Sequence, residues 1–219
     1  MIKAVAFDLD GVLIDSEPMY KIMKSRHLEK YDLHISKEEA MMFAGEKFRD
    51  TIRRIFPDMT DDLRKEITDS FNISAIIDLP FEDIFDSCAE ELLISLKRDK
   101  YKVAIASSSP MEKIEIFIDR CKVGKYFDLI ASGEMFTRTK PDPAIYKYVA
   151  EQFSLAPAEC AAVEDSDHGL LAARGAGYRV ICKRDDRFNY KQEEADHWVD
   201  SLIEIEDILR LDATGNMNL

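Results

Sequence analysis

Five short apolar runs, rich in β-branched residues, alternate with longer amphipathic segments along this chain. Such alternation is typical of a parallel β-sheet that is covered by helices, because each strand of that sheet is buried on both faces. The sequence therefore predicts an α/β fold with a doubly wound, Rossmann-like core. The five predicted strands are 3–7, 102–107, 129–132, 161–164 and 179–182.

One interval interrupts this alternation. More than eighty residues separate the first predicted strand from the second, too many for a single crossover helix. The interval predicts an all-helical insertion, a cap, with helices at 17–30, 36–43, 47–56 and 60–72. We therefore expect a core domain of residues 1–14 and 83–219 and a cap domain of residues 15–82, with 83–98 as the first core crossover helix.

Helix-capping signals mark several boundaries. Ser36 and Glu39 have the spacing of a capping box at the second cap helix. Ser109 followed by Glu112 has the same spacing and predicts that Ser109 is a helix N-cap. We expect a later core helix to end at Gly175.

Charge and composition exclude several classes of partner. The chain of 219 residues carries 43 acidic and 30 basic residues, a formal net charge of −13, and has no long lysine or arginine run. Nucleic acid and anionic membrane surfaces are therefore not expected partners. The amino end is too short for a signal peptide, no apolar stretch reaches membrane length, and four scattered cysteines suit a reducing compartment. We expect a cytoplasmic protein, by default a monomer.

Polar side chains follow four of the predicted strands. The carboxyl ends of parallel strands meet at one edge of a doubly wound sheet, where ligands bind, so we expect these side chains to converge. They are Asp8 and Asp10 after the first strand, Ser107 and Ser108 after the second, Lys140 in the loop beyond the third, and Glu164 and Asp165 after the fourth.

This set of residue types suits a phosphate group held by a divalent cation. Residues two apart on an extended chain point to the same side, so Asp8 and Asp10 can face one site, and Asp165 completes an oxygen-rich ligand set of the kind Mg²⁺ prefers. A carboxylate can attack a phosphoryl group whose charge is neutralised by a cation, by Lys140 and by a serine hydroxyl. The second carboxylate can then move protons.

Each motif alone also has an ordinary structural interpretation. The D-x-D-G of Asp8 to Gly11 is also a turn sequence, Glu164 and Asp165 suit a helix N-terminus, and Lys140 alone suits a solvated surface. A calcium loop starting at Asp8 is excluded, because the positions that must bind the ion or turn the chain hold Val12, Leu13 and Met19.

In order and spacing, these motifs resemble the haloacid dehalogenase-like superfamily, in the branch with a small helical cap after the first motif. The motifs are DLDGVLIDSE, IASSS, TKPDP and VEDSDHG. The resemblance implies that Asp8 is a nucleophile that becomes an aspartyl-phosphate and that Asp10 is the general acid and base. It further implies phosphate binding by Ser107, with Ser108 beside it, and by Lys140. The implied Mg²⁺ ligands are Asp8, the Asp10 backbone carbonyl, Asp165 and Glu164.

The same resemblance separates two reactions. β-Phosphoglucomutases of this branch carry a histidine where this chain has Tyr20, and a phosphate-binding arginine where it has Phe48. The cap residues expected to contact substrate are Gly45, Lys47 and Arg49. We therefore expect a Mg²⁺-dependent phosphatase acting on a small, sugar-like phosphate monoester. A mutase-type phosphotransferase is the alternative, and a non-catalytic phosphate-binding or metal-binding module is a third.

Overall fold

The structure is a computed structural model, and it describes residues 1–43, 48–187 and 191–214. The chain divides into two compact units. The core unit consists of Met1–Ile14 and Phe81–Leu219, and the helical unit is Asp15–Pro80. The sequence-based division places the second boundary two residues later, after residue 82.

The core unit is built on one six-stranded sheet in which every neighbouring pair is parallel. The strand order is β3-β2-β1-β4-β5-β6. This arrangement confirms the predicted doubly wound α/β fold. The strands are β1 (Ala4–Phe7), β2 (Lys102–Ser107), β3 (Leu129–Ser132), β4 (Cys160–Glu164), β5 (Arg179–Lys183) and β6 (His197–Val199).

The described part of the helical unit contains four α-helices around a core rich in aromatic residues. They are α1 (Glu17–Glu29), α2 (Lys37–Met41), α3 (Phe48–Ile55) and α4 (Asp61–Asp78). Ser36 and Glu39 form the predicted capping box at α2. The fourth helix runs six residues beyond its predicted end at residue 72, because Phe71 and Ala75 continue its buried face.

In the core unit, the described residues form six further α-helices, which connect and follow the strands. They are α5 (Phe81–Ile84), α6 (Ala89–Arg98), α7 (Met111–Cys121), α8 (Ala144–Phe153), α9 (Asp167–Ala176) and α10 (Ile205–Thr214). No helix among the described residues is both long enough and apolar enough to cross a membrane.

Three details differ from the prediction. The helix expected over 83–98 is two helices, because Ile14 pairs with Phe85 in a short antiparallel bridge between them. The end of α9 lies at Ala176, one residue beyond Gly175, because Gly177 adopts the left-handed conformation (φ +86°) that closes the helix. The strand β6 was not predicted, since three residues are too few for a periodic signal.

Register in the sheet aligns the strand ends that carry the polar residues. Phe7 of β1 pairs with Ile105 of β2 on one side and with Val163 of β4 on the other. The residues that follow these three strands therefore emerge at the same edge of the sheet. The four residues of β1 are almost completely buried, so the hydrophobic core holds the strand that ends at this edge.

Candidate active site

Asp8 and Asp10 lie where the central strand β1 turns away from the sheet. The Asp8 backbone N–H still donates to the Val163 carbonyl of β4 (3.0 Å), so its position is set by the sheet. Gly11 follows with a left-handed φ of +83°. The Asp8 side chain is buried, whereas the Asp10 carboxylate keeps 31% of its surface exposed.

Lys140 joins two of the acids. Its ammonium group donates to the Asp8 carboxylate (2.5 Å), to the Ala106 carbonyl at the end of β2 (2.8 Å) and to the Glu164 carboxylate. The side chain is buried, which by itself lowers the pKa of Lys140, but the negative charges of Asp8 and Glu164 raise that pKa above its ordinary value. The lysine is therefore a fixed positive charge at the sheet edge.

Three carboxylates cluster around this lysine. Asp8, Glu164 and Asp165 each place a carboxylate oxygen within 4.8 Å of the others. Burial raises the pKa of Asp8 to about 7, against the opposing charge of Lys140. Burial, together with the negative charges of Asp8 and Glu164, also raises the pKa of Asp165 well above its ordinary value. One lysine does not neutralise three buried acids, so the cluster favours a further positive charge.

Mg²⁺ fits this cluster. Among the described residues, the buried Oε2 atom of Glu164 has no hydrogen-bond partner. The glycines beside the acids allow close approach, since a Cβ on Gly11 would lie 2.1 Å from an Asp165 oxygen and one on Gly169 would lie 2.0 Å from the orphaned Glu164 oxygen. An all-oxygen donor set with an orphaned carboxylate oxygen is what Mg²⁺ prefers, with its remaining positions left to water and to phosphate.

The two predicted phosphate-binding serines differ in their surroundings. Ser107 is buried at the end of β2, and its hydroxyl oxygen accepts a hydrogen bond from the Ser109 backbone N–H (3.1 Å). Ser108 is exposed. Ser107 therefore shares the sheet edge with Lys140, whose ammonium group binds the carbonyl of the preceding residue, Ala106.

The prediction that Ser109 caps the next helix is wrong. The helix α7 begins at Met111 after Pro110, without a side-chain cap. The Ser109 hydroxyl instead donates to Oδ2 of Asp10 (2.7 Å). The hydrogen bond that the hydroxyl donates to the charged carboxylate is stronger than the neutral bond that its oxygen would accept from a backbone N–H as a cap, so the serine turns toward the site.

Two contacts of the acids were not predicted. Lys113 of α7 places its ammonium group 2.6 Å from both Asp10 oxygens. The Tyr146 hydroxyl of α8 donates to Glu164 (2.5 Å), and Lys140 lies over the tyrosine ring. No sequence signal marks Lys113, because packing decides which face of α7 points toward the site. No sequence signal marks Tyr146, because a buried aromatic residue in a core helix is ordinary.

The predicted cap residues belong to the helical unit. Gly45 and Lys47 lie outside the described residues. Arg49 lies in the first turn of α3 with an exposed side chain. Tyr20 lies in α1 and packs, half-buried, against the aromatic core of the helical unit.

Comparison with known proteins identifies the family. A model of the haloacid dehalogenase-like hydrolases matches residues 5–183, which include the predicted catalytic, phosphate-binding and metal-binding residues of the core. The chain belongs to the haloacid dehalogenase-like hydrolase family. This confirms the predicted superfamily and the prediction that the chain is an enzyme.

Two similar relatives are phosphatases by name. The chain is 31% identical over 186 residues to the phosphorylated carbohydrates phosphatase of Thermotoga maritima, covering 82% of this chain and 83% of the relative. It is 29% identical to hexitol phosphatase B of Escherichia coli, covering 82% of each. The crystal structure of CbbY from Rhodobacter sphaeroides in complex with phosphate superposes with a TM-score of 0.75 at 24% identity, covering 94% of this chain and 96% of that one, which supports the fold. Within this hydrolase family, the phosphohydrolase class is therefore confirmed.

Proposed function

We propose that this hydrolase is a Mg²⁺-dependent phosphatase that acts on a small phosphate monoester through an aspartyl-phosphate on Asp8. One observation carries the proposal. Lys140 bridges Asp8 and Glu164 within a cluster that also contains Asp165, at the carboxyl end of the central strands. A nucleophilic carboxylate, a fixed positive charge and a cation-binding set are thus held together.

Asp8 is the proposed nucleophile because the sheet holds its backbone and Lys140 holds its side chain. Asp8, Asp165 and Glu164 would hold Mg²⁺ together with the Asp10 carbonyl, and the bound ion would supply positive charge that neutralises the acids and the phosphate oxygens. Lys140 and the Ser107 hydroxyl would bind phosphate oxygens on the other side. Together these charges allow a carboxylate to approach a phosphoryl group that would otherwise repel it.

Asp10 is the proposed general acid and base. It lies two residues beyond the nucleophile with a partly exposed carboxylate, so it can exchange protons with a bound substrate and with water. In the first step it gives a proton to the oxygen that leaves phosphorus. In the second step it removes a proton from the water that attacks the aspartyl-phosphate.

The proposed substrate class is a sugar phosphate or sugar-alcohol phosphate. Relatives that share about 30% of their residues with this chain are named for phosphorylated carbohydrates and hexitol phosphates. We propose that Gly45, Lys47 and Arg49 of the helical unit contribute to substrate choice. Tyr20, in place of the mutase histidine, supports water as the phosphate acceptor.

The test compares the wild-type enzyme with Asp8→Asn on a panel of sugar phosphates in the presence of Mg²⁺. Asp83→Asn is the matched control, because Asp83 is an exposed acid of α5 in the same unit. We expect phosphate release by the wild type and the control, none above background by Asp8→Asn, and loss of activity on chelation of the metal. Phosphate release by Asp8→Asn would overturn the nucleophile assignment.

The same assays separate the alternatives. Conversion of β-glucose 1-phosphate to glucose 6-phosphate in the presence of a bisphosphate primer, without net phosphate release, would identify a mutase. Mg²⁺ binding without turnover of any substrate would identify a binding module.

A further inference from the structure

A second polar cluster lies beside the first and contains Asp10, Ser109 and Lys113. The Lys113 ammonium group is 2.6 Å from each Asp10 carboxylate oxygen and 3.2 Å from the Ser109 hydroxyl, which itself donates to Asp10 (2.7 Å). The Lys113 side chain is only 4% exposed. Both donors come from the segment after β2, about one hundred residues away from Asp10 in sequence.

The cluster restrains the carboxylate from one side. A buried ammonium group requires a partner, and the paired contacts with Lys113 fix both the position and the plane of the Asp10 carboxylate. Three of the hydrogen bonds that this carboxylate accepts come from α7 and the preceding turn. Ile114 and Phe117 are buried with Lys113 on the same helix, so the lysine itself cannot move far.

We propose that Lys113, assisted by Ser109, is a positioning residue that holds Asp10 in the orientation required for proton transfer. The inference rests on the proposed function. In the first step an Asp8 oxygen bonds to phosphorus, the bond from phosphorus to the leaving oxygen breaks, and Asp10 donates the proton that yields a neutral alcohol. In the second step water bonds to phosphorus, its proton passes to Asp10, and the Asp8–phosphorus bond breaks to release phosphate.

Leaving groups distinguish this role from simple packing. A sugar alkoxide requires a proton as it departs, whereas p-nitrophenolate is stable without one. Release of p-nitrophenolate during phosphorylation of Asp8 should therefore tolerate a displaced Asp10. The hydrolysis of the aspartyl-phosphate that follows should not, because water must still lose a proton.

The test uses the full chain as Lys113→Met and Lys113→Arg, with Lys147→Met, an exposed lysine of α8, as the matched control. For a sugar phosphate that the wild type hydrolyses, we expect Lys113→Met to lower kcat by about 10- to 100-fold, up to the lower limit of general acid–base contributions, with KM nearly unchanged. With p-nitrophenyl phosphate we expect a rapid burst of about one p-nitrophenolate per enzyme, followed by slow turnover. Lys113→Arg should restore part of the lost kcat.

Two results would overturn the inference. One is an equal loss of the p-nitrophenolate burst and of sugar-phosphate turnover, which a general loss of structure would produce. The other is a crystal structure of Lys113→Met in which the Asp10 carboxylate has not moved, a result that does not depend on the activity. Failure of the proposed function is distinct, because the wild type and Lys147→Met would then also be inactive and Asp8→Asn would be no worse.

Discussion

At the scale of single residues, the site depends on glycines, which have no side chain, as much as on the charged residues around them. Gly169 lies in the first turn of α9, directly against the Glu164 carboxylate. The Glu164 side chain cannot move away from Gly169, because Lys140 and Tyr146 both donate hydrogen bonds to its Oε1 atom. Glycine has only a hydrogen atom in place of a side chain, and it therefore allows the buried Glu164 carboxylate to lie beside the N-terminus of α9.

We predict that Gly169→Ala destabilises the fold by about 1–3 kcal/mol, because overpacking a buried site forces neighbouring groups to shift. It should also weaken Mg²⁺ binding, since Glu164 belongs to the cluster. Denaturant unfolding and calorimetric titration of Mg²⁺ measure the two effects.

Gly175→Ala is the matched control in the same helix. Its Cβ would meet Pro143 at 3.5 Å, an ordinary contact, so the substitution should stabilise the protein by up to about 1 kcal/mol through helix propensity. If both variants behaved alike, the close approach at Gly169 would have no energetic consequence.

Sequence analysis predicted the acids and Lys140 because they follow strands whose ends must meet. It did not predict Lys113 or Tyr146, since each belongs to a helix whose rotation about its axis is set by packing. Ser109 is the opposite case, a residue for which the sequence predicted a role that the structure does not show. Its spacing to Glu112 satisfies the capping rule, but its hydroxyl binds Asp10, a carboxylate that follows β1, and sequence spacing cannot reveal that distant partner.

At the scale of elements, the helices of the helical unit pack around a histidine. His27 of α1 contacts the Ile67 carbonyl and the Ser70 hydroxyl of α4 through Nε2, and it packs beside the rings of Tyr31 and Phe71. Its Nδ1 is buried without a partner among the described residues. Burial lowers the pKa of His27 below its ordinary value near 6.5, and the positive charge of Lys30 acts in the same direction, although the bond to the Ile67 carbonyl opposes it.

We predict that acid destabilises the helical unit through this residue. Because the folded-state pKa is lower than the unfolded one, the stabilisation is complete above about pH 6.5 and is lost as the pH falls toward the folded-state pKa. Hydrogen exchange of residues 15–43 and 48–80 at pH 7 and at pH 5 should show faster opening at the lower pH, after correction for intrinsic exchange rates.

His27→Leu should flatten this pH dependence, at the cost of the bonds to α4. His34→Gln is the control, because the His34 side chain is 75% exposed, and it should leave the dependence unchanged. An unaltered pH dependence in His27→Leu would assign the effect to other groups.

The elements with the clearest sequence patterns were the easiest to predict. Five strands and the insertion between the first two follow from the alternation of apolar runs with amphipathic segments. The short β6 and the break between α5 and α6 do not, because both depend on pairing with distant segments: β6 on β5, and the break on the bridge from Phe85 to Ile14.

At the scale of the whole molecule, a cluster of buried acids opposes folding of the core unit until a cation neutralises it. Burial and the charges of Asp8 and Glu164 raise the pKa of Asp165, so keeping it ionised at neutral pH costs free energy. Mg²⁺ bound at the proposed site would reverse this cost. At a metal concentration one hundred times the Kd, the added stability would be about 2.7 kcal/mol.

We predict that Asp165→Asn raises the thermal stability of the metal-free protein, because it removes one of three adjacent acids. The same substitution should abolish the increase in Tm that Mg²⁺ gives to the wild type. Calorimetry with and without Mg²⁺ measures both effects, and Asp83→Asn should behave as the wild type does. A lower Tm for metal-free Asp165→Asn would contradict this account.

The core unit consists of two separate segments of the chain, and this division affects the order in which the units fold during synthesis. The helical unit is one continuous segment, Asp15–Pro80. All the residues that pack within it have therefore been synthesised once the growing chain reaches Pro80. The strand β1, in contrast, needs both β2 and β4, and β4 ends at Glu164. Ribosomal synthesis therefore favours an order in which the insertion folds first, and Asp8, the proposed nucleophile, reaches its place only when about three-quarters of the chain has been made.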